Sequence, residues 1–200
     1  METKTKAEKT KEFILEKVSP IFNKHGYTGT SLSDITKATG LTKGAIYGNF
    51  SNKEELALEA FNYNSRYIIY KIRNILVTIN SPISQLYAIT NFYRNYYDNE
   101  IGKGGCPILN VGVDANNSNP KLFKRVKHVI DKLTNSISEI IKKGILEEEI
   151  KSSIDNELYG GRIFSLIEGA VFTSFMLKDD KYLIDMMNHI DSMIKNELIK

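Results

Sequence analysis

Cysteine is all but missing from this chain of 200 residues. A single one, Cys106, cannot close a disulfide within one chain, which excludes the stapled small domains of oxidising compartments. Histidine is scarce too. His25, His128 and His189 lie far apart and none stands near a cysteine pair, so no metal site is expected. Long apolar runs are also lacking: the longest, Ile163 to Leu177, is short and interrupted by Glu168, and no basic segment leads into an apolar stretch at the start. A cytoplasmic location with no membrane partner is the expectation. Equally absent are a nucleophile beside a base, paired carboxylates in a glycine-rich setting and a phosphate-binding loop. Neither an enzyme nor a cofactor is expected.

What is present is helical periodicity nearly everywhere. An apolar fraction of 42% is ample for a sizeable helical core. Ile14, Val18, Ile21 and Phe22 mark one buried face of a first helix, which Pro20 should kink near Glu16. A helix from Asn52 to about Thr78 keeps its spacing through Leu56, Ala60, Tyr63, Tyr67, Ile72 and Ile75. Ser81-Pro82 opens the next, and Gly102, Gly104 and Gly105 break it. A short helix from Pro107 to Ala115 and a long one from Leu122 to Gly144 follow. Two more run from Asp155 to Leu177 and from Asp180 to Ile199. The reading is all-α with about nine helices, divided into residues 1–60 and 61–200 near Ala60.

The densest signal lies between Thr28 and Leu56. Ser31 with Asp34 forms a capping-box pattern at a helix start, and Leu32, Ile35 and Ala38 then share a face. Gly40 ends that helix. Thr42 caps a second one from Lys43, with Ile46 and Phe50 inward and Lys43, Tyr47 and Asn49 outward. Ser51 with Glu54 repeats the capping box and launches a third helix. Two short helices around a glycine turn, with polar residues opening the second, make a helix-turn-helix that lays its second helix in the major groove. Charge agrees: Thr3 to Lys53 holds nine lysines against four acids, whereas Glu54 onward holds eighteen basic and nineteen acidic residues.

At these positions the sequence resembles the tetracycline-repressor (TetR) family of bacterial transcriptional regulators. The matching residues are Phe22, Gly26, Thr30, Ser31, Gly40, Leu41, Thr42, Gly44, Ile46, Tyr47, Phe50, Lys53, Glu54 and Leu56. The stretches GGCPILNVGVDANNSNPKLFKRV and SLIEGAV are similar, more loosely, to one branch of that family. The resemblance implies an N-terminal helix-turn-helix domain, then a helical domain with an effector pocket and a four-helix dimer interface formed by the last two helices.

Candidate residues follow. Lys43, Gly44 and Ala45 open the recognition helix toward base edges, and Tyr47 can reach a phosphate. Thr30, Ser31, Thr42, Asn49 and Lys53 suit phosphate contacts, where backbone donors converge. For a homodimer interface the candidates are Ile163, Ile167 and Val171 with the stripe Met186, Met187, Ile190, Met193 and Ile194, which is exposed unless something covers it. For a small-molecule effector they are Tyr63, Tyr67, Phe92, Tyr93, Tyr96, Phe172, Glu168 and Cys106. Most of those aromatics could equally be core, and Glu168 could serve a salt bridge or helix end. The expected partners are double-stranded operator DNA, a second copy of the chain and an effector of apolar or aromatic character. Three alternatives stand beside this: a redox- or electrophile-sensing repressor acting through Cys106, a ligand-free architectural DNA-binding protein, and a helical enzyme or carrier whose helix-turn-helix is incidental.

Overall fold

The computed structural model describes residues 5–100 and 104–200, so the expected break at Gly102 lies outside the described residues. Among the described residues there are ten α-helices: α1 (Lys6–Gly29), α2 (Leu32–Thr39), α3 (Lys43–Tyr47), α4 (Lys53–Leu76), α5 (Pro82–Arg94), α6 (Tyr96–Glu100), α7 (Pro107–Ser118), α8 (Pro120–Leu146), α9 (Asn156–Leu177) and α10 (Lys181–Met193). A π-helical turn at Ile194–Leu198 follows. Among the described residues the only extended pairing is an isolated antiparallel bridge between Ile150 and Ile199. The helix expected from Ser81 is divided at Asn95, whose backbone (φ −100°, ψ 5°) leaves the helical region and sets α6 apart.

Capping chemistry decides most boundaries. Thr5 and Glu8 start α1 by exchanging hydrogen bonds across its first turn. Pro20 is carried within α1, and the break falls at Gly26 (φ 70°, ψ −176°) rather than near Glu16. A residue with a Cβ rarely adopts that φ, so glycine places the bend. The third capping box also differs from expectation. Ser51 donates through its N–H and Oγ to Glu55 Oε2, and the Glu55 N–H donates to Asn52 Oδ1 at 2.9 Å. Helix α4 begins one residue later in consequence, at Lys53.

The chain forms two compact units. One gathers the described residues up to Ile68 together with Cys106–Lys127; the other gathers Ile69–Gly105, as far as described, and His128–Lys200. Packing thus groups α7 and the start of α8 with the N-terminal helices, and the units are not consecutive pieces of chain. The first unit buries Ile14, Val18 and Phe22 of α1, Ile35, Ile46 and Phe50, then Leu56 and Phe61 of α4, with Val111, Ala115, Leu122 and Val126. In the second, α10 packs on both α9 and α5. Its core includes Leu86, Ile89, Ile137, Ile141, Ile163, Ile167, Val171, Leu183, Met187, Ile190 and Ile194. Ile21, assigned to the buried face of α1, is half-buried.

Candidate nucleic-acid interface

Helices α2 and α3 are too short to persist alone and are held by caps and by a few buried side chains. Ser31 Oγ accepts from the Asp34 N–H at 3.1 Å, and Asp34 Oδ2 accepts from the Ser31 N–H at 2.8 Å and from Ser31 Oγ–H at 2.6 Å. These bonds hold the Asp34 carboxyl below the ordinary carboxylate range. Gly40 closes α2 in the left-handed region (φ 69°), its N–H donating to Thr36 O at 2.9 Å. Thr42 Oγ1 then accepts from the Ala45 N–H at 3.2 Å and starts α3. Ile35 and Ile46, both fully buried, fasten the pair from below.

The cap leaves Lys43, Gly44 and Ala45 exposed on the first turn of α3. A Cβ built at Gly44 would meet nothing closer than Thr42 Oγ1 at 4.0 Å, so the backbone there is open to an approaching surface. Ser31 and Thr42 are exposed and Tyr47 is half-buried. Three candidates sit differently from expectation. Thr30 is fully buried, its hydroxyl donating to Gly26 O at 2.7 Å, which spends it on closing the α1–α2 turn instead of on a phosphate. Asn49 donates from Nδ2 to Ala45 O at 2.9 Å, a bond that finishes α3. Lys53 is half-buried with its ammonium 4.6 Å from the centre of the Tyr27 ring, and burial lowers its pKa against the opposing pull of Asp114.

In the second unit, Phe92, Tyr93 and Tyr96 form one aromatic cluster with centroid distances of 5.2, 5.3 and 6.0 Å, extended by Phe175. Beside it lies a small apolar cavity of about 50 Å³ lined by Ile72, Leu76, Ile89, Tyr93, Leu133, Ser136, Ile137, Ile140, Phe164 and Ile167. Of the effector candidates, Tyr93 alone lines it. Tyr96, Cys106 and Glu168 are buried, while Tyr63, Tyr67 and Phe172 are exposed. An open cleft of about 650 Å³ shares Leu76, Ser136 and Ile140 with the cavity and adds His128, Asp131, Lys132 and Glu139.

The dimer candidates lie mostly inside. Ile163, Ile167, Val171, Met187, Ile190, Met193 and Ile194 are buried within the single chain, and Met186 is half-buried. The stripe on α10 is covered by α9 and α5, so the premise that it stands exposed is corrected. The exposed apolar side of α9 is instead Leu158, Phe172 and Met176, at 48%, 54% and 65% exposure.

Sequence reasoning missed Asp114 altogether. Its carboxylate binds the backbone just before Thr30, a contact between α7 and the α1–α2 turn that no local pattern encodes. No helix among the described residues is long and apolar enough to cross a membrane.

Comparison with known proteins agrees with this geometry. Residues 14–60 match the family described as bacterial regulatory proteins, tetR family, and residues 82–190 match the tetracyclin repressor-like C-terminal domain. An uncharacterized HTH-type transcriptional regulator of Bacillus subtilis (strain 168), YxaF, is 27% identical over 189 residues, covering 94% of this chain and 96% of the relative. Among solved structures, a TetR-family transcriptional regulator from Cytophaga hutchinsonii is 32% identical with a TM-score of 0.91, covering 100% of both chains. A TetR transcriptional regulator from Chloroflexus aurantiacus J-10-FL is also 32% identical, with a TM-score of 0.92 over 97% of this chain and 98% of the other. With an exposed, capped recognition helix on an all-helical scaffold, and with both halves matched, the chain belongs to the tetracycline-repressor family of DNA-binding transcriptional regulators.

Proposed function

We propose that the protein is a cytoplasmic repressor, without enzymatic activity, that binds a pseudo-palindromic operator as a homodimer and is released by a small apolar effector. In this reading residues 1–60 bind DNA and residues 61–200 bind the effector and form the dimer. The observation that carries it is the exposed first turn of α3, where Lys43 and the bare backbone at Gly44 and Ala45 face outward from a fixed cap. Lys43 reads base edges, Tyr47 contacts a phosphate, and Ser31 and Thr42 present the N-termini of α2 and α3 to the backbone.

Two such helices reach successive half-sites only if two chains are paired. The outer face of α9 supports that pairing. Leu158, Phe172 and Met176 project beside Gly161 and Gly169, where nothing lies within 4 Å of an added Cβ, so a partner helix can approach closely. The adjoining groove of about 740 Å³ brings in His189 and Met193 of α10. The effector enters through the open cleft of about 650 Å³ that shares Leu76, Ser136 and Ile140 with the apolar cavity around Tyr93 and Phe164, and that cavity, at about 50 Å³, must widen to admit any of it. Selection of duplexes by the purified protein, followed by titration of the recovered sequence with wild type and Lys43→Ala, tests the reading. Recovery of no sequence in preference to random duplex contradicts it.

A further inference from the structure

The turn between α1 and α2 is closed from a distant part of the chain. After the bend at Gly26, the N–H groups of Tyr27 and Thr28 begin a new helical turn, where acceptors must come from outside the helix. Both donate to one oxygen, Oδ2 of Asp114, at 2.6 and 3.1 Å. Asp114 lies on α7, which packs on α1. A Cβ at position 26 would come within 2.8 Å of the Asp114 carboxyl, so glycine there both makes the bend and admits the carboxylate. Two residues past Thr28, Thr30 is tied back to Gly26 O and Ser31 caps α2, which leaves no slack between the carboxylate and the first turn of α2. Lys53, near the start of α4, stacks on Tyr27 and feels the same carboxylate. The arrangement is fastened further by Lys121 Nζ to Glu54 Oε2 at 2.8 Å and by Arg125 Nε to Asn62 Oδ1 at 2.6 Å.

We propose that Asp114 is a positioning residue for operator recognition: its carboxylate fixes the α1–α2 turn against the base of α4 and thereby sets the orientation in which α2 and α3 meet the duplex. The reason is geometric. Helix α3 has only five residues and takes its direction from α2 and from its buried contacts, so an error at the α1–α2 turn is carried into the groove. A charged acceptor receiving two backbone N–H groups at the hinge removes that error.

The test compares operator affinity in wild type, Asp114→Ala and Asp114→Asn, read with its salt dependence and with hydrogen exchange at the Tyr27 and Thr28 amides. The alanine variant is expected to lose on the order of tenfold in affinity. Its slope of log affinity against log salt should be shallower, because fewer phosphate contacts form at once. The asparagine variant keeps an oxygen for both N–H groups and should lose less, with amide exchange intermediate between the other two. A general loss of stability lowers the melting temperature without altering the salt slope of the folded protein. Wild-type affinity in Asp114→Ala, or a loss with the salt slope and the exchange at both amides unchanged, overturns the proposal. Should Asp114→Ala fail to fold, Asp114→Asn decides alone: faster exchange together with weaker, less salt-dependent binding supports the proposal, and faster exchange with unaltered binding overturns it.

Discussion

The first turn of α3 and the outer face of α9 are both exposed helix surfaces, yet they are built from opposite materials. On α3 the outward residues are Lys43, Gly44 and Ala45: one cation and two side chains too small to hide the backbone. On α9 they are Leu158, Phe172 and Met176, long apolar side chains left open to water beside small residues. The first surface loses little by being hydrated and gains from a polyanion with a groove. The second is costly to leave in water and gains from a second apolar helix. In the proposed reading DNA and a second chain take separate surfaces, so each can be damaged without the other.

The harshest way to break this separation is to strike neither surface. Ile190 is fully buried inside the single chain, so Ile190→Asp should unfold the protein, at a cost on the order of 4 kcal/mol or more. Urea denaturation checks this, and a folded, monomeric Ile190→Asp protein would show that the residue belongs to an interface after all. Phe172→Glu sits on the outer face of α9 and should leave the helical signal and the urea midpoint of the monomer nearly unchanged. It should weaken the dimer by about 2 kcal/mol or more, the scale of an aromatic hot spot. Analytical ultracentrifugation reads that loss directly.

Lys43→Ala attacks the other surface. A loss of about 1–3 kcal/mol in operator affinity is expected, with dimerisation and thermal midpoint unaltered. The smallest effect concerns the cap that presents α2. Ser31→Ala removes the acceptor for the Asp34 N–H and the Oγ–H bond to its carboxylate, which should cost about 1 kcal/mol. It should also change the acid limb. Because Ser31 holds the Asp34 carboxyl below its ordinary value in the folded state, that contribution is complete above the ordinary carboxylate range and disappears as pH falls through the lowered value. The Ser31→Ala protein should lose less stability over that acid interval than wild type, measured by urea unfolding at stepped pH.

The same two regions differ in how far the sequence discloses them. Around α2 and α3 the information is local: Ser31 with Asp34, Gly40 and Thr42 act within a few residues of themselves, and each does so as its spacing implies. The third cap shows the limit of such patterns, since Ser51 could serve Glu54 or Glu55 and the backbone chose Glu55 with Asn52 as the cap. Pro20 shows another, because the neighbouring Gly26 offers a backbone conformation that places the bend there. In the C-terminal helices the apolar positions were evident, but not what covers them. An apolar stripe such as Met187, Ile190 and Ile194 looks the same whether it meets its own chain or another, and only the packing of α10 between α9 and α5 settles which. Asp114 was invisible for a similar reason, as a polar contact between distant segments leaves no periodic trace.

The exposed face of α2 and α3 is proposed to read a particular DNA sequence. The most direct measurement of this is fluorescence anisotropy of the wild-type protein and Lys43→Ala with a duplex recovered by selection and with a shuffled duplex of equal length, across a series of salt concentrations. Wild type should prefer the selected duplex by on the order of a thousandfold. Binding should fall linearly in log affinity against log salt, with the preference reduced in Lys43→Ala. Equal affinity for the two duplexes, or an undiminished preference in Lys43→Ala, would contradict it.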